Sequence, residues 1–285
     1  MAFASFKEVL LDGYKNGYAV GQFNMNNLEF TQAIIEAANE EKSPVIFGVS
    51  EGAIKYMGLD YTVAMARVAM ESSKVPVILH LDHGPNRDLV MKCIKAGFSS
   101  IMIDASHYPL EENIRLSREI VDLCHSVGIE VEGELGRIGG TEDDLTVDER
   151  DATLAVPAEA LRLVQESGID ALAPAIGSAH GPYKGTPELA FDRLKEIRDL
   201  LPGTPLVLHG GSGIPDADIR QAISLGVSKI NVNTENQLAM THVIREVLGK
   251  DANVYDPRKY MKPARDAIKE VVKEKMRLFG SSGRA

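Results

Sequence analysis

The sequence predicts an α/β protein. It reads as a single (β/α)8 TIM barrel spanning residues 1–285, with a cap helix before the first strand and an extra helix at the C-terminus. Three observations predict this. Short apolar runs recur every ~20–40 residues, each followed by a stretch with helical spacing, the size of a βα unit. The runs are continuous rather than alternating, as in parallel strands buried on both faces. Nearly every run ends in a polar residue capable of chemistry, at the strand end where barrels carry their active sites. A doubly wound open sheet is the competing architecture, but no GxGxxG motif follows the first apolar run.

Taken in order, residues 5–15 space Phe6, Val9 and Leu10 on one helical face behind Ser5 as N-cap, and are expected to close the bottom of the barrel. AVGQF (19–23) is the first strand and ends at Asn24; LEFTQAIIEAANEE (28–41) is its amphipathic helix. PVIFGV (44–49) ends at Ser50 and is followed by a helix over 61–72. VPVILHL (75–81) ends at Asp82 and His83, and a helix over 87–96 stops at Gly97, a C-cap residue. SSIMI (99–103) ends at Asp104, before a helix over 110–127. IEVEGEL (129–135) carries Glu132 and Glu134, and a polar, Gly-rich loop over 136–153 follows it. After a helix over 157–167, ALAPAI (171–176) leads to His180, and a helix over 191–201 to PLVLH (205–209), which ends at His209. A helix over 215–225 precedes the eighth strand, KINVN (229–233). Helices over 237–248 and 256–279 complete the chain.

Composition narrows the function. A net charge of −10 argues against nucleic acid as a partner, since phosphate neutralisation needs a basic face. No apolar run reaches the ~20 residues of a membrane span, and the N-terminal residues do not read as a signal peptide. The two cysteines, Cys93 and Cys124, have no CxxC spacing and read as buried thiols of a cytoplasmic protein.

Three histidines, His83, His180 and His209, each precede a glycine just past a different apolar run. Three neutral imidazoles bind Zn²⁺ and leave a fourth position open, the pattern of a catalytic site. The bland alternative is three separate buried histidines. Asp82 adjoins one imidazole and reads as a general acid or base, or else as an N-cap or hydrogen-bond partner of a histidine. Asp104, Glu132 and Glu134 read as an alternative metal position or as hydrogen-bond supports for the imidazoles, and Glu132 and Glu134, of the same parity, share a strand face. The loop Gly210-Gly211-Ser212-Gly213 is a candidate phosphate cradle of backbone N–H groups, which Asn233 and Thr234 extend from the eighth strand. Lys184 is a candidate phosphate partner, and Glu142, in the acidic GGTEDD segment, a candidate base on a closing loop; a solvated loop is the bland reading of both. His80 reads as structural, and Lys229 as opening the eighth strand at the wrong face for catalysis.

Together the stretches GQFNMNNLEF, SPVIFGVSEGA, HLDHG, MIDASH, VEGELGRIGGTEDD, GSAHGPYKG, LHGGSGIP, KINVNTEN and YDPRKY resemble the class II, metal-dependent fructose-1,6-bisphosphate aldolases and the related tagatose-1,6-bisphosphate aldolases. The resemblance covers almost the whole chain. It implies reversible cleavage of fructose 1,6-bisphosphate to dihydroxyacetone phosphate and glyceraldehyde 3-phosphate in glycolysis and gluconeogenesis. It further implies one catalytic Zn²⁺ on His83, His180 and His209, with a second metal position at Asp104 and Glu134. Asp82 is then the acid/base at the C4 hydroxyl, Glu142 the proton exchanger at the dihydroxyacetone phosphate carbon, and Asn231 an enediolate contact. Gly181, Lys184, Gly210, Gly211, Ser212, Asn233 and Thr234 match the dihydroxyacetone phosphate end, which in some members includes a Na⁺ or K⁺ site. Asn24 and Ser50 match contacts to the other half of the sugar. Arg258 matches a contact to the second phosphate from a neighbouring subunit, in a homodimer or homotetramer. The Arg137-Ile138 pair departs from the family's usual small residue and Val, a change expected in the loop rather than the chemistry. A barrel hydrolase and a silent sugar-phosphate binding protein are the other classes the residues fit.

Overall fold

The computed structural model describes residues 3–142, 145–148, 152–183 and 185–285. Helix α1 (Phe6–Asn16) is capped by the Ser5 hydroxyl, which accepts the Glu8 amide, and closed by Gly17 in the left-handed region. Then come β1 (Val20–Asn24), α2 (Leu28–Glu41), β2 (Val45–Val49), α3 (Glu51–Met57), α4 (Leu59–Ser72), β3 (Val77–Gly84), α5 (Arg87–Ala96), β4 (Ser100–Ile103), α6 (Leu110–His125) and β5 (Glu130–Leu135). Beyond them lie β6 (Gly139–Glu142), β7 (Leu145–Val147), α7 (Pro157–Ser167), β8 (Ala171–Pro174) and β9 (Ala179–His180). The chain finishes with α8 (Phe191–Leu200), β10 (Leu206–Leu208), α9 (Asp216–Ser224), β11 (Val227–Val232), α10 (Thr234–Lys250) and α11 (Pro257–Leu278).

Eight of these strands close into a parallel barrel in the order β1-β11-β10-β8-β5-β4-β3-β2. The expected barrel and its strand order along the chain are therefore present. Two expectations need correction. The stretch after Ser50 carries the short helix α3, because the Ser50 hydroxyl accepts the Ala53 amide and so caps a helix start. The Gly-rich insertion is not all loop: β6 and β7 pair antiparallel, and β6 also pairs with β9 through Gly139↔Ala179 and Gly140↔His180. The β-forming run Leu145-Thr146-Val147 explains the hairpin.

Alternate residues face the barrel interior. Its lowest layer is apolar: Val20, Ile46, Ile78, Ala171 and Val207 pack with Phe6 and Leu10 of α1, which closes the bottom as predicted. The opposite faces of the same strands join the main core under the helices. The next layer up departs from the branched aliphatic filling usual in such barrels. Gln22, His80, Ser100, Glu132 and Lys229 lie there, all with no solvent exposure. Both cysteines are free and buried. Among the described residues no helix is long and apolar enough to cross a membrane.

Candidate active site

Asp82 and His83 are consecutive, and in a regular strand they would face opposite ways. Here they do not, because His83 has φ 47° and the β3–β4 register shifts between Leu81 and Gly84. Such a bulge re-aims a side chain at a strand end. A left-handed non-glycine residue stores roughly 1–3 kcal/mol of strain, which surrounding contacts must hold. One of these is the His83 amide on Met102 Sδ, 3.4 Å away.

His83, His180 and His209 converge, each offering a ring nitrogen within 4.8 Å of the others. The rings stand nearly perpendicular, with centroids 4.7 Å apart for His83 and His209 and 5.2 Å for His83 and His180. Carboxylates take the outer nitrogens of two of them. His83 Nδ1 lies 2.8 Å from Asp104 Oδ2, and His209 Nε2 lies 2.9 Å from Glu132 Oε1. A proton on each outer nitrogen leaves His83 Nε2 and His209 Nδ1 facing each other as lone pairs, 3.0 Å apart. Two facing lone pairs repel unless a cation or proton lies between them. Nitrogens on one tetrahedral Zn²⁺ stand ~3.3 Å apart, so the donor set fits that ion. Burial, with His83 and Lys229 nearby, holds His209 well below the usual imidazole range, in its neutral ligating form. His83, Asp104 and Glu134 form a second triple of possible ligands. There, against the effect of burial, hydrogen bonds from His83 and Ser106 hold Asp104 below the usual carboxylate range, while burial and then Asp104 push Glu134 above it.

Asp82 and Asn231 complete the interior of the site. Asn231 Nδ2 is 3.3 Å from Asp82 Oδ1 and 3.4 Å from His209 Nδ1. Asp82 Oδ2, Asn231 Oδ1 and Glu134 Oε2 are buried, and among the described residues they find no hydrogen-bond partner. Buried acceptors left open in this way mark a place that a ligand or metal completes.

A family model described as fructose-bisphosphate aldolase class-II matches residues 4–284. The chain belongs to the class II fructose-bisphosphate aldolase family. It is 57% identical to the fructose-bisphosphate aldolase of Geobacillus stearothermophilus, over all of this chain and 99% of that one. It is 54% identical to the fructose-bisphosphate aldolase of Staphylococcus aureus strain Mu50, over the full length of both. Among solved structures, the YdjI aldolase from Escherichia coli K12 superposes with a TM-score of 0.87 at 36% identity, covering 99% of each chain. Class II aldolases are carbon–carbon lyases, and the chain is an enzyme of that class.

The remaining predicted residues of this aldolase fall in several places. Asn24 and Ser50 are buried at the ends of β1 and β2, and Ser50 also caps α3. In the Gly210–Gly213 loop, the Gly211 amide donates to the Asn231 carbonyl and the Gly213 amide to Glu235. Those two N–H groups therefore serve the protein rather than an anion, which corrects the expected cradle. Ser212 instead sits against the start of α10, where its hydroxyl accepts the Glu235 amide at 3.3 Å, next to Asn233 and Thr234. The glycines after the three histidines lie against neighbouring backbone of the barrel top. A Cβ on Gly84 would lie 2.5 Å from Met102 O, and one on Gly210 only 2.3 Å from Ala179 O. Gly181 has φ 82° beside Thr141. Arg258 stands at the start of α11 with its guanidinium on Asp256, largely exposed. Lys184 and the side chain of Glu142 lie outside the described residues; the Glu142 backbone ends β6.

Sequence reasoning misplaced two side chains. Lys229 does not open its strand on the wrong face. It points into the barrel and pairs with Glu132, 2.8 Å from Oε2 and 3.1 Å from Oε1. His80, read as an isolated structural residue, belongs to the same cluster: its Nδ1 meets Ser100 Oγ at 2.8 Å and its Nε2 lies 3.6 Å from Glu132 Oε2. Strand parity carries the signal, since Lys229 lies two residues before Asn231 and His80 two before Asp82.

Proposed function

We propose that this chain, as one barrel domain over residues 1–285, cleaves fructose 1,6-bisphosphate reversibly to dihydroxyacetone phosphate and glyceraldehyde 3-phosphate. The observation that carries the reading is the pair of facing imidazole nitrogens, each ring held from behind by a carboxylate, next to Asp82 and Asn231. His83, His180 and His209 would hold Zn²⁺, with Asp104 and Glu134 as a second position. When bound there, the ion supplies Lewis-acid polarisation of the substrate C2 carbonyl.

The chain's own residues do the rest. Asp82 takes the proton of the C4 hydroxyl as general base. The C3–C4 bond breaks, its electron pair stays with C3, and the aldehyde leaves. The Asn231 amide donates to the oxygen on which negative charge develops, an interaction worth most when that charge appears. Glu142, on the hairpin, returns a proton to C3. Gly181, Lys184, Gly210, Ser212, Asn233 and Thr234 hold the dihydroxyacetone phosphate end, with a Na⁺ or K⁺ ion assisting. Asn24 and Ser50 meet the other half of the sugar, and Arg258 of a neighbouring copy meets the second phosphate in a homodimer or homotetramer. The setting is the cytoplasm, where the buried thiols stay reduced.

The test is cleavage of fructose and tagatose 1,6-bisphosphates side by side, with EDTA and then with Zn²⁺ restored. Fructose bisphosphate turnover that EDTA abolishes and Zn²⁺ restores is the expected result. Turnover that survives EDTA and is trapped by borohydride means an imine on a lysine and overturns the three-histidine site. A higher rate on tagatose bisphosphate overturns the substrate assignment alone.

A further inference from the structure

The polar layer in the middle of the barrel calls for a reason. A buried ion pair is seldom a gain in stability over well-packed aliphatic residues of similar volume, and barrels ordinarily fill this layer with such residues. Here Lys229 and Glu132 are both without solvent exposure, with Gln22, His80 and Ser100 around them.

The geometry gives the reason. Glu132 Oε1 accepts from two groups at once, His209 Nε2 at 2.9 Å and Lys229 Nζ at 3.1 Å. Its other oxygen is 2.8 Å from the same ammonium, so Lys229 spans both oxygens and fixes the plane of the carboxylate. Behind Glu132, His80 is held from two sides. Ser100 takes its Nδ1, and the Phe6 ring stacks on it at 5.1 Å with 7° between the planes. The carboxylate is thus clamped from below, and above it holds one imidazole in one tautomer.

We infer that Lys229, acting through Glu132, is a positioning residue that sets the ring of His209 and keeps its Nδ1 lone pair turned toward His83 and His180. This rests on the reading of the three histidines as a metal site. Lys229 is no Schiff-base lysine in this arrangement, because its ammonium is engaged by Glu132 beneath the site. Carboxylates behind ligating imidazoles typically contribute 10–100-fold to metal affinity. Lys229 adds a further link to that chain, one side chain more remote from the ion.

The experiment uses the full-length protein with Lys229→Met, Glu132→Gln and the double variant. Zinc affinity is read by competition with a chromophoric chelator. The ligand field is read from the visible absorption of the Co²⁺-substituted protein, and the stability of the metal-free form from urea unfolding. Lys229→Met should weaken zinc binding ~10–100-fold and shift the Co²⁺ bands. The double variant should be no weaker than Glu132→Gln alone, because the lysine works through that carboxylate. A merely structural lysine would lower the urea midpoint while leaving affinity within twofold and the Co²⁺ bands unmoved, and that result overturns the inference. So do losses that add in the double variant. If Lys229→Met does not fold, Lys229→Gln, which keeps a donor without the charge and leaves Glu132 unchanged, takes its place. Wild-type zinc affinity and bands in it refute the inference, and a tenfold loss with shifted bands supports it. Failure of the wild-type protein to bind zinc at all would instead refute the metal site beneath the inference.

Discussion

The Gly213 amide donates to Glu235 Oε1 at 2.6 Å, and the Glu235 amide donates back to Ser212 Oγ at 3.3 Å. The Gly-rich loop and the start of α10 are thereby tied to each other by two reciprocal hydrogen bonds. Lys275 of α11 grips the same carboxylate at 2.6 Å, so three elements converge on one side chain. Replacing Glu235 with Ala releases the loop and leaves the Gly213 amide without its acceptor. A hydrogen bond to a charged group contributes ~1.5–3 kcal/mol. The expected result is a rise of about tenfold in KM for fructose bisphosphate with little change in kcat, read from steady-state kinetics.

Asp82 has no solvent exposure, and its Oδ2 is open toward the site. Asp82→Asn keeps the shape and the contact with Asn231 but cannot accept the C4 proton. Loss of general base catalysis lowers kcat ~10²–10⁴-fold. Zinc content, measured by elemental analysis, should stay at the wild-type value, because Asp82 belongs to neither triple of candidate ligands. Lost zinc would assign Asp82 to the metal instead.

Removing the metal should also loosen the fold. With the ion gone, His83 Nε2 and His209 Nδ1 face each other at 3.0 Å with nothing to share. A ligand present at a thousand times its Kd stabilises the folded state by ~4 kcal/mol. For a chain of this size that corresponds to a fall in Tm on the order of 10 °C on EDTA treatment. Scanning calorimetry with and without Zn²⁺ checks it.

Cys93 and Cys124 set a limit at alkaline pH. Burial pushes each thiol from 9.0 up to about 12. The folded protein keeps both protons where the unfolded chain has released them. Their contribution to stability is therefore complete below pH 9 and is lost as pH rises toward 12. Urea midpoints should fall across that window, and the Cys93→Ala/Cys124→Ala variant should fall less steeply. In native protein at pH 8 a thiol reagent should label neither residue, and in urea both.

Pattern alone makes most of this molecule readable. The eight apolar runs, their polar ends and the Gly-terminated helices follow from burial and capping, which act over a few residues. His83, His180 and His209 stand out because each interrupts a run at the same end. Less readable were features that depend on distant partners. Helix α3 hinges on the one hydroxyl of Ser50, and the β6–β9 pairing joins residues far apart in the chain. The roles of the amides in the Gly210–Gly213 loop depend on Asn231 and Glu235, which reach it from the next strand and helix. Lys229 and Glu132 are 97 residues apart, and strand parity could place each inside the barrel without showing that they meet.

The left-handed twist at His83 has one more consequence. Because the proposed base and a proposed metal ligand are neighbours in the chain, a single peptide unit joins Asp82 and His83, with Cα atoms about 3.8 Å apart. However the rest of the barrel moves, the backbone positions of Asp82 and His83 cannot drift from each other. Covalent geometry here acts as a ruler, and the strained backbone angle is the bend that lets that ruler measure across the site instead of through the wall of the barrel.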